Sequence, residues 1–433
     1  MKWSGSLNTA YLNREKIFLV AIFASIACSL VIKSWMTLTV IFLSLISLGS
    51  VVANPGKYCY AKSSSFWLAL ISLSTPFIAE FICQVSRQSL VLTSLDGPLR
   101  GALCASIFLF LRTVDSRKLL LALAFGSLFG VFAVFVSITL FPEQYWGERA
   151  ATYFVDPITL PCYTVMMLGI LLPSPLGVPR HYGVVLKTFA VCATLYIAIQ
   201  SGSRSAWLAL IGLAIVMAFY VSEKSIVKLF FGLITIAFVS FGLYSLSDIV
   251  RERCDILFEA LYYLIKFILP GFDDYEGLRE ILARTSTGHR VLIFMIDYEL
   301  VKLFPLFGIA DGALPSYETL QSSIQFLTPQ IYSIRELSGS HSEFSALLVR
   351  RGGGFGALSL WALFGYPLYL ALKLVRSHQG ESRSIGWLML FALTPIFCSA
   401  FGIQVFNLKM TISSYALVCA ILMAVAFKSS ENK

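Results

Sequence analysis

The sequence predicts an all-α, polytopic integral membrane protein: about twelve transmembrane helices and one large loop that is itself helical. Three observations carry that prediction. First, 57% of the 433 residues are hydrophobic and only 13% are charged, with a mean hydropathy of +0.78. A water-soluble core cannot hide so much apolar surface, whereas a bundle of membrane helices requires it. Second, the apolar residues fall in runs of about 18–24, the length that crosses a bilayer as helix. Backbone groups in lipid must be satisfied within the segment, which favours helices over any open alternative. Third, lysine and arginine are distributed unevenly between alternate connections, as in a chain that weaves across a membrane.

Taken in order, the spans are expected at about 17–33, 35–53, 66–85, 97–112, 118–141, 157–174, 182–200, 205–221, 226–246, 354–374, 385–403 and 410–427. The first run has Arg14 and Lys16 ahead of it and no small-residue cleavage site behind it, so it reads as a retained span rather than a cleaved leader. With the N-terminus placed in the cytoplasm, the inside segments carry 17 Lys and Arg and the short outside loops carry 6, namely Lys33, Arg87, Arg100, Arg149, Arg204 and Lys409. The remaining 10 of the 33 lie in one long loop, and long loops do not vote on orientation. Both termini are therefore expected inside. The net charge of +9 is mostly this inside bias and gives no argument for nucleic acid as a partner. The nine cysteines are scattered singly, mostly within spans, as small apolar packing residues without a disulfide framework or zinc spacing.

Composition divides the chain into residues 1–246 (spans one to nine), a loop at 247–353 and residues 354–433 (spans ten to twelve). The loop holds 14 of the 24 acidic residues. Residues 251–269 place Ile256, Leu257, Ala260, Tyr263, Leu264 and Phe267 on one face and Glu252, Asp255 and Glu259 on another, an amphipathic helix stopped by Pro270-Gly271. A second helix is expected from Gly288 to about Leu303, ending at Phe304-Pro305.

Three times a Ser/Gly-rich turn precedes a basic residue where a helix should begin: Ser201-Gly202-Ser203-Arg204, Ser286-Thr287-Gly288-His289-Arg290 and Ser338-Gly339-Ser340-His341. A helix N-terminus offers unpaired N–H groups and a partial positive charge, so a cation there opposes the dipole and is a poor choice for stability alone. The same arrangement seats an anion, and a phosphorylated substrate is the expectation. Arg204 is expected at the outer membrane surface with open N–H groups around it, its structural alternative being an interfacial arginine that reaches for headgroups. Arg290 is expected in the first turn of its helix, where the alternative is an ordinary surface ion pair. His341 is expected to open a helix through a capping box, Ser340-x-x-Glu343. A neutral imidazole there can act as a general base, and nearby arginines would lower its pKa. His181 and His378 sit in inside loops among basic residues and read as bystanders. Asp273-Asp274 with Glu276 reads as a solvated loop, and no metal site is expected. Glu80, the clear mid-span charge, is either a polar-network residue or a pore lining.

These stretches resemble a known family. Ser201-Gly202-Ser203-Arg204-Ser205-Ala206-Trp207-Leu208-Ala209 is similar to the "SGSRxAWLA" stretch of the O-antigen ligase and polymerase superfamily. Thr287-Gly288-His289-Arg290, then Phe304-Pro305-Leu306-Phe307-Gly308-Ile309-Ala310-Asp311-Gly312, resembles its "GR…PLxGxGxG" stretch. His341-Ser342 followed by Gly352 fits the ligases' histidine pattern, with Phe355 a departure where Gly, Thr or Tyr is preferred. The resemblance implies a GT-C-like, inverting, metal-independent glycosyltransferase in a bacterial inner membrane, with a large periplasmic loop, the active site on the periplasmic side and no cofactor. It implies transfer of O-antigen polysaccharide from undecaprenyl diphosphate to lipid A–core, with Arg204 and Arg290 binding the diphosphate and His341 deprotonating the acceptor hydroxyl. Ser203, His289, Arg350 and Arg351 are secondary candidates. Two rivals stay open: a polymerase joining lipid-linked repeat units, and a transporter of an anionic lipid or solute.

Overall fold

The computed structural model describes residues 4–58, 64–142, 149–222, 225–246, 286–309, 314–324, 327–406 and 408–431, together with 251, 255, 258 and 262. Among them there is no strand. The helices are α1 (Ser4–Cys28), α2 (Trp35–Ala53), α3 (Pro55–Tyr58), α4 (Ser64–Ser86), α5 (Leu92–Leu111), α6 (Ser116–Leu140), α7 (Thr159–Leu171), α8 (Arg180–Ser201), α9 (Arg204–Ser222) and α10 (Ile226–Leu246). They continue with α11 (Ser286–Leu303), α12 (Tyr317–Gln321), α13 (Pro329–Ser338), α14 (Glu343–Leu360), α15 (Tyr366–Val375), α16 (Gly380–Ser399) and α17 (Lys409–Glu431). A π-helical turn, Trp361–Gly365, joins α14 to α15.

Among the described residues, nine helices are long and apolar enough to cross a membrane. The other three expected spans coincide with α1, α10 and the 13-residue α7. Exposed Leu38, Phe42, Leu45 and Val52 on α2, and Ile226, Phe230, Phe231 and Phe238 on α10, turn apolar faces outward, as a lipid solvent permits. The opposite extreme is α17, whose membrane-crossing window is wholly buried, and α7, buried at all 13 positions. These two helices form the interior. α7 reaches α16 at a bare backbone contact, since a Cβ on Gly169 would collide with the Phe391 carbonyl.

Several expectations are corrected. The helix that carries the tenth expected span begins before it, at Glu343: α14, the π-turn and α15 run on as one 33-residue apolar helix, Glu343–Val375, which contains 354–374. Its one break is Gly352, with φ 74° and ψ 170°. Arg100 is not in an outer loop. α5 begins at Leu92, so Arg100 lies buried inside it, paired with Asp96 at 3.0 Å and bonded to Thr37. The carbonyls loosened by the π-turn find side-chain donors: the Ser72 hydroxyl donates to Ala362 O (2.5 Å) and the Tyr415 hydroxyl to Leu363 O (2.6 Å). The amphipathic helix expected at 251–269, its stop at Pro270-Gly271 and the acidic run Asp273, Asp274 and Glu276 lie outside the described residues, apart from 251, 255, 258 and 262. The described cysteines, seven in number, are all free.

Candidate active site

The first element is the turn between α8 and α9. Gly202 takes the left-handed conformation (φ 60°, ψ 23°) that ends α8. Its N–H donates to Ile199 O at 3.0 Å, and the Ser203 N–H donates to Ser201 Oγ at 3.3 Å. These two N–H groups are therefore used within the turn and are not open to a ligand. Ser203 is buried, and its hydroxyl donates to Ile158 O at 3.2 Å, tying the turn to the start of α7. Arg204 then opens α9, half-buried. Arg149 joins it: its Nε donates to Ser201 O at 2.7 Å, a cation satisfying a carbonyl at the helix C-terminus.

The second element is α11. It starts at Ser286 and ends at Leu303, so Arg290 is the fifth residue and lies beyond the first turn. Arg290 Nη1 donates to Gly402 O at 3.4 Å, a long bond, while its Nε is buried with no hydrogen-bond partner in the protein. Burial, and then the charges of Arg204 and Arg149, push the Arg290 pKa down. Three guanidinium groups from three separate segments thus act on one another. Such mutual repulsion favours binding of an anion among them.

The third element carries His341. α13 ends at Ser338, and Gly339 turns the chain with φ 64°. The expected capping box does not form. Ser342 is the N-cap, its Oγ accepting from the Phe344 N–H at 3.2 Å and donating to Ala400 O at 3.0 Å. The Glu343 N–H is claimed by the carbonyls of Ala400 and Ile403, both at 3.0 Å, and its carboxylate accepts from the Phe406 N–H at 3.0 Å. Gln404 Nε2 donates to Ser340 O. The loop between α16 and α17 thus holds the His341 loop and, at Gly402, also meets Arg290. His341 lies two residues before α14, half-buried. Burial first, then the charges of Arg290, Arg335 and His289, lower its pKa to about 4. The imidazole is accordingly neutral at pH 7 and able to accept a proton.

Arg351 stands apart from this cluster. It is buried and its Nε donates to Glu80 Oε2 at 2.8 Å across to α4. Glu80 also accepts from Gln84 at 2.9 Å, so it belongs to a polar network rather than to an open path. Arg87 completes the brace: its Nη1 reaches Phe307 O (2.9 Å), Ile309 O (2.5 Å) and Arg350 O (2.7 Å). Those carbonyls flank two glycines in left-handed conformations, Gly308 (φ 62°) and Gly352 (φ 74°). A Cβ on Gly308 would stand 2.5 Å from Gly352 N, and one on Gly352 would stand 2.8 Å from Gly308 N. The glycine of the "PLxG" stretch and the glycine spaced after His341 are thus two sides of one backbone contact. Arg350 is half-buried and adds its carbonyl to the Arg87 clamp.

The sequence reading missed Arg149, Arg335 and Asp297. Arg149 carried a signal, being one of six cations in the short outer loops. Arg335 and Asp297, an ion pair at 2.7 Å with 8% and 1% of their side chains exposed, carried none.

Fold and site together define a polytopic helical membrane protein with a cluster of guanidinium and imidazole groups where α9, α11 and α14 begin. Residues 189–361 match the family described as O-antigen ligase, a segment that spans the turn at 201–204, α11 and the His341 loop. That match supports the chain as a member of the O-antigen ligase and polymerase superfamily. The same match supports, in general terms, an O-antigen ligase or polymerase type of function: glycosyl transfer in a lipid bilayer from lipid-linked sugars. No curated protein matches the chain.

Proposed function

We propose that the chain is an O-antigen ligase, transferring O-antigen polysaccharide from undecaprenyl diphosphate to lipid A–core during lipopolysaccharide synthesis. The observation that supports this reading best is that Arg204 and Arg149 bear on Arg290, and Arg290 in turn on a neutral His341. An acceptor sugar hydroxyl attacks the anomeric carbon of the donor from the face opposite the diphosphate. The bond from that carbon to the diphosphate oxygen breaks, and configuration inverts. The hydroxyl proton passes to His341, and the undecaprenyl diphosphate leaves with an added negative charge. Arg204 and Arg290 hold that leaving group, where aimed guanidinium groups are worth more in the transition state than in the ground state. The positive charge that a divalent ion supplies to other diphosphate-leaving enzymes comes here from arginine. On this reading the reaction lies on the periplasmic side of the bacterial inner membrane with both chain termini in the cytoplasm; the charge asymmetry, 17 against 5 once Arg100 is counted inside α5, supports that orientation.

A deletion strain tests the reading. Loss of long O-chains from lipopolysaccharide, with lipid-linked polymer accumulating, is the expected result. A lipid A–core capped by a single repeat unit indicates a polymerase instead, and intact O-chains with a defect in flux of an anionic lipid indicate a transporter. Purified His341→Ala should bind the donor and fail to transfer. Full activity in that variant removes the histidine from the mechanism.

A further inference from the structure

The buried pair Asp297 and Arg335 lies immediately behind the histidine loop and has no role in the reading above. Arg335 Nε meets Asp297 Oδ1 at 2.7 Å, and its Nη2 donates to Ser340 Oγ at 2.9 Å, one residue before His341. The Arg335 carbonyl also accepts from the Gly339 N–H at 2.9 Å. Both ends of this one residue therefore hold the turn that leads to His341, and Asp297, on α11, links the turn to the helix that carries Arg290. Building such a pair in a protein interior is costly in desolvation, and an apolar pair of similar size often serves stability as well. Its presence beside the reacting groups calls for a role that charge alone performs.

We propose that Arg335, locked by Asp297, is a positioning residue that sets both the place of His341 and the charge its imidazole carries. Burial weighs most on that charge, and three charged groups add to it. Arg290 and His289 face the imidazole from α11 and Arg335 faces it from α13, all three disfavouring a proton. Glu343, two residues after the histidine at the start of α14, is committed to the Phe406 N–H. Arg335 differs from Arg290 in lying behind the loop, bound to protein rather than presented to substrate. It keeps its charge when the donor's diphosphate binds and neutralises the arginines in front. At that moment Arg335 becomes the main fixed charge holding the base unprotonated. Asp297 keeps the guanidinium in place, and its own carboxyl is pushed up by burial against the opposing pull of Arg335. Loss of Arg335 would let Asp297 take up a proton rather than stand as a bare anion.

This proposal rests on His341 acting as the base. The experiment is the pH dependence of turnover, measured on the full-length protein in lipid nanodiscs with a diphosphate-linked glycan donor and lipid A–core. The wild-type acid limb should lie below the ordinary imidazole value, because burial and the Arg335 charge both persist with the donor bound. Arg335→Gln keeps hydrogen-bonding capacity but loses the charge, and its acid limb should rise by about one pH unit, the effect of one nearby charge at intermediate dielectric. Arg335→Lys should keep the wild-type limb. Asp297→Asn disturbs the same pair and lowers turnover but leaves the Arg335 charge, so its limb should stay. The double variant Asp297→Asn/Arg335→Gln pairs two amides and should fold even where Arg335→Gln alone does not; its limb should rise as well. Limbs that stay put in both charge-removing variants overturn the proposal and leave the pair a structural tie. An active His341→Ala overturns the underlying reading separately.

Discussion

Removing the carboxylate of Glu80 should unfold the brace behind the site, and the size of the effect follows from its surroundings. Glu80 accepts from Arg351 Nε at 2.8 Å and from Gln84 at 2.9 Å, with Arg87 at 4.0 Å. The side chains of Glu80 and Arg351 are 4% and 5% exposed, so water cannot replace either partner. Arg351 Nη1 already lacks a hydrogen-bond partner, which leaves Glu80 to carry most of its compensation. Glu80→Met therefore strands a buried cation, a change that costs about 3–5 kcal/mol. At roughly 1–2 °C per kcal/mol for a chain of this length, the unfolding midpoint in detergent should fall by roughly 3–10 °C. Glu80→Gln keeps an acceptor and should lose about 1–3 kcal/mol. Glu80→Met/Arg351→Met removes both charges and should recover most of the loss, giving a coupling of about 3 kcal/mol in a double-mutant cycle. The assay is thermal unfolding of the purified variants, followed by transfer activity on those that fold. A Glu80→Met protein with a wild-type midpoint and no activity would refute the reasoning, because the carboxylate would then be serving a path or a reaction rather than the brace.

Gly352→Ala should be destabilising by at least about 1–2 kcal/mol from its left-handed conformation alone, with more from the clash against Leu306 and Gly308; unchanged thermal unfolding would show that the crossing can relax. Arg204→Lys and Arg290→Lys keep charge but lose the planar fork, and each should slow transfer by roughly 30- to 1000-fold, a loss of about 2–4 kcal/mol; near-normal rates in vitro would return both to interfacial roles. Excess EDTA should leave transfer unchanged, and activity lost with EDTA but restored by Mg²⁺ or Mn²⁺ would overturn the metal-free mechanism. Cysteines placed in a Cys-free background at exposed Tyr153 and Leu306 should label from outside the cell, and one at exposed His378 only from within; labelling in the opposite sense would invert the topology.

The helices were legible because lipid demands long uninterrupted apolar runs, and twelve such runs coincide with α1, α2, α4 to α10, α14 with α15, α16 and α17. Arg204 was legible for the opposite reason, as a cation placed where the helix dipole disfavours it; Arg290 drew notice on the same ground, although α11 starts at Ser286 and leaves it beyond the first turn. What stayed hidden depends on partners far away in sequence. Arg149 gains its place from Ser201 O, 52 residues on, and Arg335 from Asp297, 38 residues back. The capping box was a sound local pattern overruled from outside: the Glu343 N–H and carboxylate are taken by residues 400–406, which no spacing around Ser340 foretells. Glu80 was legible as an anomaly, but its answer, Arg351, lies 271 residues away.

The burial of α17 has a consequence for how the molecule is made. This helix packs against α5, α2, α16 and α6, all of which leave the ribosome before it. During synthesis the bilayer must therefore hold a ring of inserted helices around a vacant axis. Groups that end up satisfied by α17 and its approach wait for them: the Tyr163 hydroxyl for the carbonyls of Val405 and Thr411, the Leu363 carbonyl for Tyr415, and Asp96 for Lys409. The loop at 400–406, which fastens Glu343 and Ser340, leads directly into α17 and arrives with it. The His341 loop can therefore be fastened only after the segment from Ala400 onward has been made.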